Sequence, residues 1–295
     1  MNIVQFPDKY TLPFFPDVCE FIASKESTII SVGSMVLDLS ATTFVDPFGM
    51  VTLIGLCRHM YNSHGVTSTI VLPNGDAGSY MERAGFTQNS LIDNFIVIER
   101  RNSLLKYFRK SNKNMGVLWF FEGESDIQTI NGEIEGWMEA NGFSEEEINS
   151  ITTFISEMVQ NVCQHSNTPQ KGVLCFQAYK TINGESFLSW AIGDAGIGIR
   201  QSLIDSGVQD IVGYDDERVI REVITKGISR FQDDKTRGNG LSRLYKAAQK
   251  RRAMLFIQSH AGLFGLHIDV GQLKKIERKV PLVTGTNIGF HLSRA

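Results

Sequence analysis

The stretch from Ile151 to His165 constrains this chain more than any other. Ile151, Phe154, Ile155, Met158, Val159, Val162 and Cys163 recur at helical spacing and form one apolar stripe. Glu157, Asn161 and His165 stand four apart, so a carboxylate, an amide and an imidazole line the opposite side of the same helix. Ser144 followed by Glu147 is a capping-box pattern that starts it. Such a helix must bury one face and can offer the other to a site. Further on, Gly193-Asp194-Ala195-Gly196-Ile197-Gly198 follows an apolar run and sets an acid among glycines. Glycine lets backbone approach a base or phosphate without a Cβ in the way. An acid at a strand end can accept a hydrogen bond from an exocyclic amine. The glycine spacing meets neither the dinucleotide pattern G-x-G-x-x-G nor the Walker pattern.

Around these stretches the chain reads as two halves. Val36 to Leu39 and Thr69 to Leu72 are short apolar strands; the helix carrying Met50, Leu53, Ile54, Cys57 and Met60 lies between them, and a further helix over 76–84 follows. Strands alternating with helices predict a small α/β domain over residues 1–100. The polar, basic run 101–115 reads as a linker. Residues 116–295 read differently. Strands are expected at 117–121, 173–179, 187–192, 254–258, 263–270 and 287–292, and helices at 125–141, 216–226 and 241–249. Asn183-Gly184 signals a hairpin. The expected fold class here is α+β: a two-layer sandwich with a mixed, mostly antiparallel sheet and helices on one face. Lys274 to Lys279 reads as a solvated loop.

With 42% hydrophobic and 21% charged residues, the 295-residue chain has a globular composition. A net charge of -3 gives no electrostatic reason to expect nucleic acid or an anionic membrane. No apolar run is long enough for a bilayer, and the N-terminal residues show no secretory pattern. Four scattered cysteines without paired metal spacing read as reduced thiols, so a cytoplasmic location is expected.

Two resemblances follow from these residues. Val36-Leu-Asp-Leu-Ser40, Phe44-Val-Asp46, Gly49, Ile70-Val-Leu-Pro73 and Gly85-Phe86 together resemble a STAS domain, the fold of bacterial anti-anti-sigma factors. In regulated members of that family the residue before the glycine is a phosphorylated serine or threonine. Here it is Phe48, which has no hydroxyl, so that switch is absent. In the second half, Glu157 and Asn161, then Asp194, Gly196 and Gly198, then Arg237-Gly238-Asn239-Gly240-Leu241, then Gly285-Thr286 occur in an order that resembles the GHKL (Bergerat-type) ATPase superfamily. That superfamily includes gyrase, heat-shock chaperone ATPases, sensor histidine kinases and the serine kinases that act as anti-sigma factors.

The second resemblance implies ATP and Mg2+ as cofactors. Asn161 would hold the metal, and Asp194 would bind the adenine amine. Gly196 and Gly198 would let the chain pass close to the nucleotide. Gly238 and Gly240 would place helix N-terminal amides against the phosphates. Thr286 would close the adenine pocket, and residues 200–237 would form a lid. Arg237 and Lys235 are candidates for charge on the γ-phosphate. Glu157 would be the catalytic general base. His165 also has a counterpart in anti-sigma kinases; a structural or phosphate-contacting role suits it better than acid-base work. Ser242-Arg243 replaces a Gly-Leu pair seen in many histidine kinases, and no histidine-bearing dimerisation hairpin precedes the ATPase-like region. The implied function is an ATP-binding regulator of bacterial signalling, either a serine/threonine kinase or slow ATPase acting on a protein partner, or an ATP-gated interaction module without turnover. The partner would be a regulator or an anti-anti-sigma-like protein, and the resemblance is compatible with a homodimer.

Overall fold

A computed structural model describes residues 2–87, 93–100, 117–180, 186–229, 239–269 and 271–294. The first half runs β1 (Ile3–Gln5), β2 (Lys9–Tyr10), α1 (Phe15–Val32), β3 (Ser34–Asp38), β4 (Phe44–Val45), α2 (Pro47–His64), β5 (Thr67–Val71), α3 (Gly75–Arg83) and β6 (Ile96–Glu99). Its sheet has the order β1-β3-β5-β6 with every pair parallel. The strands and helices expected between residues 36 and 84 are therefore present as β3, α2, β5 and α3. Asp46 caps α2: its carboxylate accepts from the amides of Gly49 at 2.7 Å and Leu12 at 3.2 Å. Burial pushes this carboxyl up to about 6 against those bonds.

The second half runs β7 (Val117–Phe121), α4 (Ser125–Ala140), α5 (Glu145–His165), β8 (Gly172–Lys180), β9 (Ser186–Gly193), α6 (Gly198–Asp205), α7 (Asp216–Lys226), α8 (Gly240–Arg251), β10 (Met254–Asp269) and β11 (Gln272–Arg294). The sheet order is β10-β11-β9-β8-β7, antiparallel throughout. The molecule is thus a mixed α+β fold. Strands β8 and β9 pair as the hairpin signal predicts, while Asn183-Gly184 lies outside the described residues. The capping box of α5 is complete: the Ser144 hydroxyl accepts from the Glu147 amide at 3.3 Å, and the Glu147 carboxylate accepts from the Ser144 amide at 2.8 Å. The apolar stripe of α5, including Ile151, Ile155 and Met158, packs with Trp190, Ile192, Ile288 and Phe290.

One expectation is overturned. Lys274 to Lys279 is not a loop; it pairs with β10 from Gly262↔Lys279 to Asp269↔Gln272. The charges are tolerated because this arm of the hairpin is largely exposed on one side. Arg278 also pairs with Glu20 and Asp17 of α1.

The face of the antiparallel sheet away from α5 is covered by α2 of the first half. Residues 47–60 of α2 are all buried. Across the strands, Cys175, Ala191, Gly289 and Phe256 fall in one register row. The small side chains in the middle of that row leave a trough, and Phe48 fills it. A Cβ on Gly289 would press on the Phe48 ring and on Leu12. Phe48 is 1% exposed and meets Phe15 edge-on at 5.6 Å. One core cluster joins residues of both halves, including Phe48, Val51, Val173, Ala191, Phe256 and Val283. Polar contacts reinforce it: the buried Arg58 of α2 donates to Lys171 O at 2.6 Å and pairs with Asp93 at 2.6 Å. Residues 101–115, expected as a linker, lie outside the described residues.

All four cysteines are free thiols, three of them buried. Among the described residues no helix is long and apolar enough to cross a membrane.

Candidate functional site

The end of α5 meets the turn that follows β9. Ile197 N donates to Ser166 O at 2.9 Å. A Cβ on Gly196 would collide with that same Ser166 carbonyl, so only glycine permits this crossing. The crossing holds Asp194 beside the polar face of α5. We expect Gly196→Ala to cost roughly 1–3 kcal/mol, because backbone on both sides must shift. A drop in urea midpoint with unchanged slope would register it; an unaltered midpoint would show the crossing to be slack.

Asp194 is 7% exposed. Its Oδ1 accepts from Gly196 N at 2.7 Å, and its own amide donates to Thr286 O at 3.0 Å. Burial raises its carboxyl to about 6, while the backbone amides of Gly196 and Thr286 act the other way. Gly285 lies directly against Asp194 O, leaving no room for a side chain. Two residues not singled out in the sequence complete this corner. The Ser259 hydroxyl accepts from Ile199 N at 2.9 Å and lies 3.2 Å from the Thr286 hydroxyl. His260, with φ of 50°, sits over Gly198 where the β10–β11 register shifts. Only the strand register reveals them, since neither belongs to a recognisable motif.

Asn161, Asp194, Gly198 and Thr286 come together on the wall of one cavity, with apolar surface from Met158 and Ile192 among others. Its volume is about 120 Å³. An apolar cavity of roughly 150 Å³ takes a benzene-sized ring, so this one encloses part of a flat ring system and not a whole nucleotide. Gly198 opens α6 and Leu241 is the second residue of α8; both line the cavity. Two helix N-termini therefore border it, and their dipoles favour an anion there, although Ile199 N of α6 is already donated to Ser259.

Glu157 and Gly240 lie beside the cavity and do not line it. One carboxylate oxygen of Glu157 is ion-paired with Arg243 of α8. The other, Oε2, is buried and has no hydrogen-bond partner among the described residues. It rests against Gly240, where a Cβ would come within 2.8 Å. The side chain of His165 and all of Lys235, Arg237 and Gly238 lie outside what the structure describes. Among the described residues no cluster of three or more His, Cys, Asp or Glu side chains could hold a metal ion.

No protein-family model matches this chain, and no curated protein matches it. Among solved structures, the SiaB-SiaC complex from Pseudomonas aeruginosa is similar with a TM-score of 0.31 and 15% identity, over 66% of this chain and 99% of that chain. A likeness at that level carries no argument about fold or function.

Proposed function

We propose that this chain is a nucleotide-binding regulatory protein that takes ATP with Mg2+ and thereby controls a protein partner. The observation that supports it most is the buried Asp194 in the wall of a ring-sized apolar cavity, with Asn161 and two helix N-termini on the same cavity. Two features speak for the GHKL resemblance: an antiparallel sheet backs α5, and Asn161, Asp194, Gly198, Leu241 and Thr286 line one cavity from separate elements. Asp194 accepts the exocyclic amine of the base, and Thr286 packs beside it. Asn161 supplies an oxygen to a magnesium ion, which keeps most of its ligands from phosphate and water. The N-terminal ends of α6 and α8 turn the positive ends of their dipoles to the phosphate oxygens.

Two readings of Glu157 compete. The ion pair with Arg243 occupies the carboxylate that a general base would need free, which favours binding without turnover. The unpartnered Oε2 favours the kinase or ATPase reading, since an unsatisfied buried carboxylate oxygen can take a proton from an incoming hydroxyl. We adopt the first. The expected result is calorimetric binding of Mg-ATP with phosphate release and phosphotransfer at background. Turnover that Glu157→Ala abolishes would establish the enzyme instead. Failure to bind Mg-ATP would overturn both readings.

A further inference from the structure

A second cavity lies behind the nucleotide site, between α1, α2 and the segment of β11 that precedes Thr286. Its volume is about 320 Å³, within the roughly 300–1,000 Å³ typical of small-molecule sites. The lining is mostly apolar, with Cys19, Ile22, Leu56, Met60 and Val283, and with His59 as a buried polar member. His59 is 7% exposed. Its Nδ1 accepts from the Thr284 amide at 3.3 Å and lies 3.3 Å from the Ser63 hydroxyl. An amide can only donate, so Nδ1 is unprotonated and the ring proton sits on Nε2. Burial holds this imidazole down at about 4, in its neutral form. Among the described residues nothing accepts from Nε2. Glu26 and His64, paired at 3.3 Å, complete the polar lining and place a carboxylate where an anionic ligand would be repelled.

We infer that this cavity is a binding site for a small, neutral, mostly apolar molecule carrying one hydrogen-bond acceptor, such as a ketone or amide oxygen, which takes the His59 Nε2 proton. The site is wired to the nucleotide cavity through three consecutive residues. Thr284 donates to His59, Gly285 lies against Asp194 O, and Thr286 lines the nucleotide cavity. Occupancy of either cavity therefore bears on the position of the same short segment. By linkage, the effect of one ligand on the other is reciprocal. The coupling rests on the nucleotide reading proposed above; the existence of the second site does not.

The test uses para-fluoroacetophenone as probe, followed by fluorine line broadening on the full chain. Binding is expected at concentrations below about 10 mM, a range ordinary for a fragment of this size. Ala23→Trp, at an exposed position of α1 on the cavity wall, fills the site while replacing no core residue and should abolish binding. His59→Phe keeps the ring shape and removes the donor; it should bring the ketone down to the affinity of para-fluorotoluene. No binding, or binding that survives Ala23→Trp, overturns the site. Equal binding of para-fluorobenzoate overturns the ligand class. Saturating ketone should also shift the Mg-ATP dissociation constant by about three-fold or more in wild type, and not in Ala23→Trp. An unmoved constant overturns the coupling alone. If Mg-ATP fails to bind while the ketone still binds, the proposed function falls and the second site stands.

Discussion

On the proposed nucleotide reading, Asp194→Asn should weaken Mg-ATP binding by about 100-fold, near the upper end of what a hydrogen bond to a charged group contributes. Asn keeps the shape of the side chain and can still accept from Gly196 N through its carbonyl. It replaces the second acceptor oxygen by a donor, which faces the base amine as donor against donor. The fold should survive. Burial raises the Asp194 carboxyl to about 6, above the ordinary 3.8. A group raised in this way stabilises the fold when protonated, and that contribution is lost as pH rises through about 6. Near neutrality the ionised carboxylate is thus a burden on stability, and removing its charge offsets the lost acceptor. A second readout follows from the same shift. If the carboxylate form is the one that accepts the base amine, wild-type affinity should fall as pH drops through about 6, while Asp194→Asn should lack that inflection. Titration calorimetry across this range checks both. Equal affinities of the two proteins at pH 7.5, a condition chosen about one and a half units above the shifted value, would remove Asp194 from the base pocket.

The local signals of the sequence carried most of the second half. The Ser144–Glu147 box and the apolar spacing from Ile151 placed α5 within a residue of its observed start. The same periodicity put Asn161 on the polar face that meets the cavity. The sequence assigns Gly196 to close passage by a nucleotide, whereas the group that lies against it is the Ser166 carbonyl at the end of α5. What escaped was non-local. Ser259 and His260 reach the site through a register shift between two long strands, and no short window shows where strands slip. Arg243 was legible only as a departure from a glycine-rich pattern; its pairing with Glu157 depends on how α8 crosses α5. The charged arm 274–279 looked like a loop because half of its strand faces solvent and its apolar residues do not alternate strictly. In the sequence Phe48 stands out for what it lacks, a hydroxyl. The register row it packs against, with Ala191 and Gly289 side by side from distant strands, explains the aromatic ring.

Phe48→Ala should lower unfolding stability by about 3–5 kcal/mol, the range for deleting a buried aromatic side chain. The more telling part of the prediction is where the loss is seen. The three tryptophans, Trp119, Trp137 and Trp190, all belong to the second half, whereas Phe48 belongs to the first. Trp190 lies on β9, next in sequence to Ala191 of the trough beneath α2, and faces the opposite layer with Ile192 and Phe290. If α2 and the antiparallel sheet share one core, tryptophan fluorescence and far-ultraviolet dichroism shift together in urea, as one transition. If the halves are separate units that merely touch, the fluorescence transition stays where it is and dichroism splits into two steps. A paired substitution localises the effect. Gly289→Ala alone should destabilise, since its methyl presses on the Phe48 ring. In the Phe48→Ala background the same methyl enters vacated space, and its cost should shrink or change sign, giving a coupling energy of roughly 1 kcal/mol or more. Strict additivity would mean that the ring and the glycine do not meet, and that the covering of the sheet by α2 contributes little to holding the two halves together.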